Sequence, residues 1–188
     1  MSAEFKKDFQ FADQFLPRMQ ELIGSLLLKR SDFETDAKRA TDLVLLKAGN
    51  LDIACRIRRP GFAEKYPWDF TIRLERDSGA MTEFEKIASG FADWMFYGHA
   101  AEDGASISRW FLIDLDAFRA HLILHRDQIK SGKKRNDDDG TWFQWFNIRS
   151  FPKSPPLLIA ANVEVPDDDP QTCLPIDPEL DKILNPAS

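Results

Sequence analysis

Residues 66–97 read YPWDFTIRLERDSGAMTEFEKIASGFADWMFY, and the order of elements within them decides the fold. Asp69, Thr71, Arg73 and Glu75 alternate with Phe70, Ile72 and Leu74. A period of two sends the first set to one face of a strand and the second to the other. Asp77-Ser78-Gly79 breaks that strand. Thr82 with Glu85 three residues later is the signature of a capping box. The spacing of Phe84, Ile87, Phe91, Trp94 and Met95 predicts one amphipathic helix that starts at Thr82 and is closed by Gly98 and the AEDGAS stretch.

Upstream, Thr41–Lys47 (TDLVLLK) and Leu51–Arg58 (LDIACRIR) read as two strands joined by Ala48-Gly49-Asn50, which is hairpin chemistry. A hairpin centred on Gly49 sets Asp42 opposite Arg56. Residues 9–30 read as a helix carrying Phe11, Phe15, Met19, Leu22, Ile23 and Leu26, with Pro17 kinking it or marking its start. Downstream, Ser108–Leu115 is nearly continuous in apolar residues and reads as a buried strand. Asp116 is placed to cap a helix over about 117–130. KSGKKRNDDDG reads as a polar loop, basic and then acidic. In TWFQWFNIRSF, Trp142, Gln144, Phe146 and Ile148 share one side of a further strand, and a short apolar strand follows the proline-rich turn.

The expected architecture is α/β, a central mixed sheet flanked by helices, formed by one domain over residues 1–162. An acidic, proline-rich tail spans residues 163–188. Seven acids against Lys182 give that tail the whole net charge of −6, so residues 1–162 are neutral overall. The body is therefore neither strongly basic nor strongly acidic, and local basic stretches decide what it contacts. The N-terminus has no apolar signal segment, and no apolar run approaches the ~20 residues a bilayer requires. Cys55 and Cys173 carry no pairing pattern, so reduced thiols and a cytoplasmic location are expected. GxxxxGK[ST], GxGxxG and GxSxG are all absent, which leaves ATP-binding, dinucleotide-binding and serine-hydrolase readings without support.

A helix, a hairpin, a third strand and a packed helix followed by a buried strand, over roughly residues 9–125, resemble the core of PD-(D/E)XK nucleases. The chain also looks like small proteins of phage and prophage genomes. The resemblance implies a restriction-endonuclease-like fold with C-terminal β additions, acting on DNA or RNA by Mg²⁺- or Mn²⁺-assisted phosphodiester hydrolysis. In that superfamily an Asp near the start of one hairpin strand and an acid-x-lysine on the next hold the metal through oxygen ligands. Asp42 matches the first position. Arg56 stands at the acid and Arg58 at the lysine, and an arginine neither ligates a metal nor acts as a base. Two arrangements follow. In one, the acids have moved to Asp69 and Glu75, Lys86 supplies the catalytic cation, Asp42, Asp69 and Glu75 hold the metal, and Arg56, Arg58 and Arg73 hold phosphate. In the other, the fold binds without cutting, Asp42 pairs with Arg56, and the partner is nucleic acid or a nucleic-acid-processing protein.

Simpler readings stand beside these. A row such as Asp69, Thr71, Arg73 and Glu75 also suits the solvated face of a strand, and Glu83, Glu85 and Lys86 suit a first helical turn. His121 and His125 have zinc-compatible spacing without a third ligand, and His99 reads as a helix C-terminal residue. The aromatic segment Trp142–Phe151 suits base stacking, a buried edge, or the interface of a homodimer.

Overall fold

The computed structural model describes residues 10–30, 43–45, 51–74, 82–136 and 140–167. The chain divides into two compact units, Met1–Leu51 and Asp52–Ser188. In the first, helix α1 (Leu16–Leu27) has Pro17 in its opening turn, where a missing N–H costs nothing, and buries Met19 and Ile23 along one face. Strand β1 (Leu28–Arg30) pairs antiparallel with β2 (Leu43–Leu45). The expected hairpin partner of Leu43–Leu45 is thus replaced by Leu28–Arg30. The Ala48-Gly49-Asn50 turn and Asp42 lie outside the described residues.

The second unit is α/β, with a mixed four-stranded sheet flanked by helices. β3 (Ile53–Arg58) pairs in parallel with β5 (Trp94–Ala100), from Ile53↔Trp94 to Arg58↔His99. Parallel pairing needs a long crossover. Here it contains α2 (Phe62–Lys65), β4 (Asp69–Arg73) and α3 (Glu83–Ala88). β6 (Ile107–Asp114) pairs antiparallel with β5 and β9 (Leu158–Ala161) with β6, so the order is β3-β5-β6-β9. β4 belongs to a second, antiparallel sheet with β7 (Ser131–Arg135) and β8 (Trp142–Asn147), in the order β4-β8-β7.

Three expectations are corrected here. The helix beginning at Thr82 stops at Ala88 instead of running on to Gly98. Gly90 adopts φ +83°, its N–H reaches Ile87 O, and the Phe91 N–H reaches Lys86 O. That pair of bonds is a Schellman stop. The chain then re-enters as the buried strand β5, leaving Phe91 65% exposed. Helix α4 (Leu115–Leu124) starts earlier than expected. Asp114 caps it by accepting the Ala117 N–H, while Asp116 in the first turn pairs with Arg119. The basic part of the 131–140 segment is a strand, β7, instead of a loop, because it completes the ladder with β8.

The core is largely aromatic. Phe70 and Phe146 stack at 5.3 Å across the β4–β8 ladder, and Phe118 of α4 meets Phe146 at 5.0 Å. Phe84, Met95, Phe111 and Ile113 join the same cluster, each at most 1% exposed. Burying each such side chain contributes about 1.5–3 kcal/mol. On β5, Gly98 matters for close approach: a Cβ there would fall 2.6 Å from Ile57 Cδ1 of the parallel neighbour.

Candidate functional site: a basic, aromatic cleft

Strands β4 and β8 bury Phe70, Ile72, Gln144 and Phe146 on one face. Their other face carries the register pairs Asp69↔Asn147, Thr71↔Trp145 and Arg73↔Phe143. This second face borders a cavity of about 450 Å³. Arg58 of β3, Tyr97 and His99 of β5, Phe62, Lys65 and Tyr66 at α2, and Lys134 and Arg135 of β7 complete most of its wall. Residues distant in sequence meet there because β3 and β5 are parallel neighbours while β4, β8 and β7 form the facing ladder.

Among the described residues four cations, Arg58, Lys65, Lys134 and Arg135, line the cavity against a single carboxylate, Asp69. The Arg58 guanidinium lies 4.2 Å from the centroid of the Phe62 ring, and Lys65 lies 5.4 Å from that of Tyr66. Such cation–π contacts hold long side chains against the wall. Asp69 Oδ1 accepts a hydrogen bond of 2.9 Å from Asn147 Nδ2. Burial pushes its carboxyl above the ordinary value, opposed by that hydrogen bond and by the charge of Arg149. Tyr97 is core by its ring, 6.2 Å from Phe70, and its hydroxyl shares a 3.3 Å hydrogen bond with that of Thr71. Burial also raises the Tyr97 phenol. His99 is 1% exposed and its Nδ1 has no hydrogen-bond partner. Burial, then the charges of Arg109 and Arg58, lower its pKa from 6.5 to about 4, so the imidazole is neutral at pH 7.

The residues singled out from sequence separate into groups. Asp69 and Arg58 line the cleft. Arg56 and Arg73 instead meet at Glu83, whose Oε2 accepts from Arg56 Nη1 at 2.7 Å and from the Arg73 backbone N–H at 2.9 Å. Arg56 therefore has Glu83 as a carboxylate partner. Lys86 is exposed in the last turn of α3 and is not among the residues lining the cleft. Asp42 and Glu75 lie outside the described residues. Of the three expected metal ligands only Asp69 is described, and no group of three or more His, Cys, Asp or Glu suited to a metal ion occurs among the described residues.

Among the described residues no third ligand joins His121 and His125, and His121 Nε2 lies 2.7 Å from Pro155 O. His99 sits on β5, not at a helix end. Phe151 is 7% exposed and packs in the core. Among the described residues no helix is long and apolar enough to cross a membrane.

Sequence reasoning missed much of the wall, namely Phe62, Lys65, Tyr66, Tyr97, His99, Lys134 and Arg135, whereas Phe143 and Trp145 fall within the segment read as suited to base stacking. Two signals pointed toward it. One was the Lys133-Lys134-Arg135 run, and the other was the aromatic alternation of β8, whose other parity, Phe143 and Trp145, faces the cleft. Comparison with family models, with curated proteins and with solved structures finds no match for this chain.

Proposed function

We propose that this protein binds nucleic acid, with the cleft of the second unit as its contact site. The observation that carries this reading is the composition of the cavity wall: among the described residues, four cations and five aromatic rings against one carboxylate, within a chain of net charge −6. Gathered cations repel one another, and phosphates entering among them relieve that repulsion while releasing counterions. Aromatic rings beside the cations add stacking surface for bases. Among the described cleft residues the carboxylate is Asp69, whose Oδ1 accepts from Asn147 Nδ2, and the cations around it suit the binding of an anion.

The test is fluorescence anisotropy with labelled DNA and RNA oligonucleotides over a series of salt concentrations. Parallel reactions in Mg²⁺, Mn²⁺ and EDTA are resolved on gels for cutting. Binding that weakens linearly in log–log salt plots is expected, with a slope reduced by about 0.7–0.9 for each phosphate-contacting cation removed in Lys134→Ala or Arg135→Ala. No binding at low salt to any oligonucleotide would overturn the reading. Metal-dependent cutting lost in Asp69→Asn would replace it with the nuclease reading.

A further inference from the structure

The cleft carries more than charge. Trp145 of β8 stands directly opposite Gly132 of β7. A Cβ on Gly132 would fall 2.8 Å from the indole Nε1 and 2.9 Å from Cε2 and Cζ2. The indole therefore lies against the β7 backbone, in volume that any other residue would fill. Its position is set by the ladder before any guest arrives, so little side-chain entropy remains to be lost on binding. Further along the β7–β8 ladder from the Gly132↔Trp145 pair, Lys134, Arg135 and Phe143 border the same cavity. Across from them stand Arg58, Tyr66 and His99.

His99 supplies the second, independent observation. Its side chain is 1% exposed, it lines the cavity, and Nδ1 has no partner. A buried polar atom left unpaired is costly, and a guest bearing a hydrogen-bonding edge relieves that cost. A neutral imidazole offers one donor and one acceptor, which suits the mixed edge of a nucleobase better than a phosphate, an acceptor alone at neutral pH.

Resting on the nucleic-acid reading above, we infer that the cleft takes one unstacked base of a single strand, stacked on Trp145 with its edge toward His99 and its phosphates among Arg58, Lys134 and Arg135. A cavity of about 450 Å³ lies in the size range of small-ligand sites, ~300–1,000 Å³. It suits one nucleotide and not a duplex, whose bases are stacked away from any protein ring. Single-stranded recognition works by splaying bases onto aromatic faces.

The experiment is a competition assay on the full chain. A labelled oligothymidine is displaced by unlabelled single strand, by duplex of equal length, by a fully abasic strand and by the mononucleotide. The single strand is expected to compete at concentrations at least about tenfold below the duplex and the abasic strand. Trp145→Leu should weaken single-strand binding by about 5- to 100-fold, the range that base stacking supplies, with the salt slope unchanged. Gly132→Ala, which leaves the indole in place chemically but displaces it, should weaken binding in the same direction. It decides the matter if Trp145→Leu does not fold. His99→Gln, which restores an amide donor and acceptor, should lose less than His99→Leu.

Equal competition by abasic strand and duplex, with Trp145→Leu and Gly132→Ala binding like wild type, would overturn the inference and leave nucleic-acid binding standing. A mononucleotide competing as well as the strand would overturn the single-strand assignment in favour of a free nucleotide. Failure of every oligonucleotide to bind would overturn both readings.

Discussion

One ladder, β4 with β8, has two faces of opposite character. On one, Phe70, Ile72 and Phe146 are at most 1% exposed and pack against helices α3 and α4 and strands β5 and β6. On the other, Asp69, Thr71, Phe143 and Trp145 border a cavity. Both faces are rich in rings, so aromatic content does not distinguish them. What differs is the opposing wall. The first face meets apolar side chains that fill the space between elements. The second meets Arg58 across the cavity and has Lys134 and Arg135 beside it on β7, charges that resist desolvation and keep the space from closing. An aromatic residue is a core residue or a contact residue according to what stands across from it.

The largest effect that would test this contrast is Phe146→Ala. It removes a ring at the centre of the core cluster and should cost about 3–5 kcal/mol in chemical denaturation. Trp145→Leu, one residue away on the other face, should cost clearly less stability while reducing binding. Equal stability losses at both positions would erase the distinction.

Glu83 comes next, because it joins β3 to the end of β4 through Arg56 and the Arg73 N–H. Glu83→Ala leaves a half-buried guanidinium and a backbone donor without that carboxylate, and should cost about 1.5–3 kcal/mol. Urea midpoints of wild type and variant measure it.

The cleft face should also show itself in acid. The His99 imidazole has a folded pKa lowered to about 4 from 6.5, so between those values the unfolded chain binds more protons. Stability therefore rises with pH through that window, the contribution being present above about 6.5 and lost as pH falls to about 4. His99→Gln should flatten this part of the profile. An unchanged slope in the variant would show that His99 is not the group responsible. Asp69 acts in the opposite sense, since its carboxyl is raised by burial. Its folded state gains relative stability as pH falls through the raised value, and Asp69→Asn should remove that gain.

The smallest expected effect lies away from both faces. Thr82 Oγ1 accepts the Glu85 N–H at 3.1 Å and Glu85 returns a bond to the Thr82 N–H. Thr82→Ala should cost about 1 kcal/mol, read from thermal or urea denaturation, without altering binding. A change in oligonucleotide affinity in Thr82→Ala would mean that α3 positions the cleft after all.

Local signals in the sequence determined a good part of this molecule. The alternation of Asp69–Leu74 identified β4 and its two faces, the Thr82/Glu85 box identified the start of α3, and the apolar run of Ser108–Leu115 identified the buried strand β6. Each rests on interactions within a few residues, which composition and spacing report directly. Tertiary structure alone decided the rest. Trp94 and Met95 fit the helical stripe of α3 as well as they fit a strand. Only the stop at Gly90 and the parallel pairing with β3 resolve them. Arg56 finds Glu83, and Arg58, His99, Lys134 and Trp145 border one cavity, because a crossover and a second sheet bring together residues far apart in the chain. Spacing along a sequence carries no record of such pairings, since they are selected by the burial of whole faces against one another and not by any neighbouring residue.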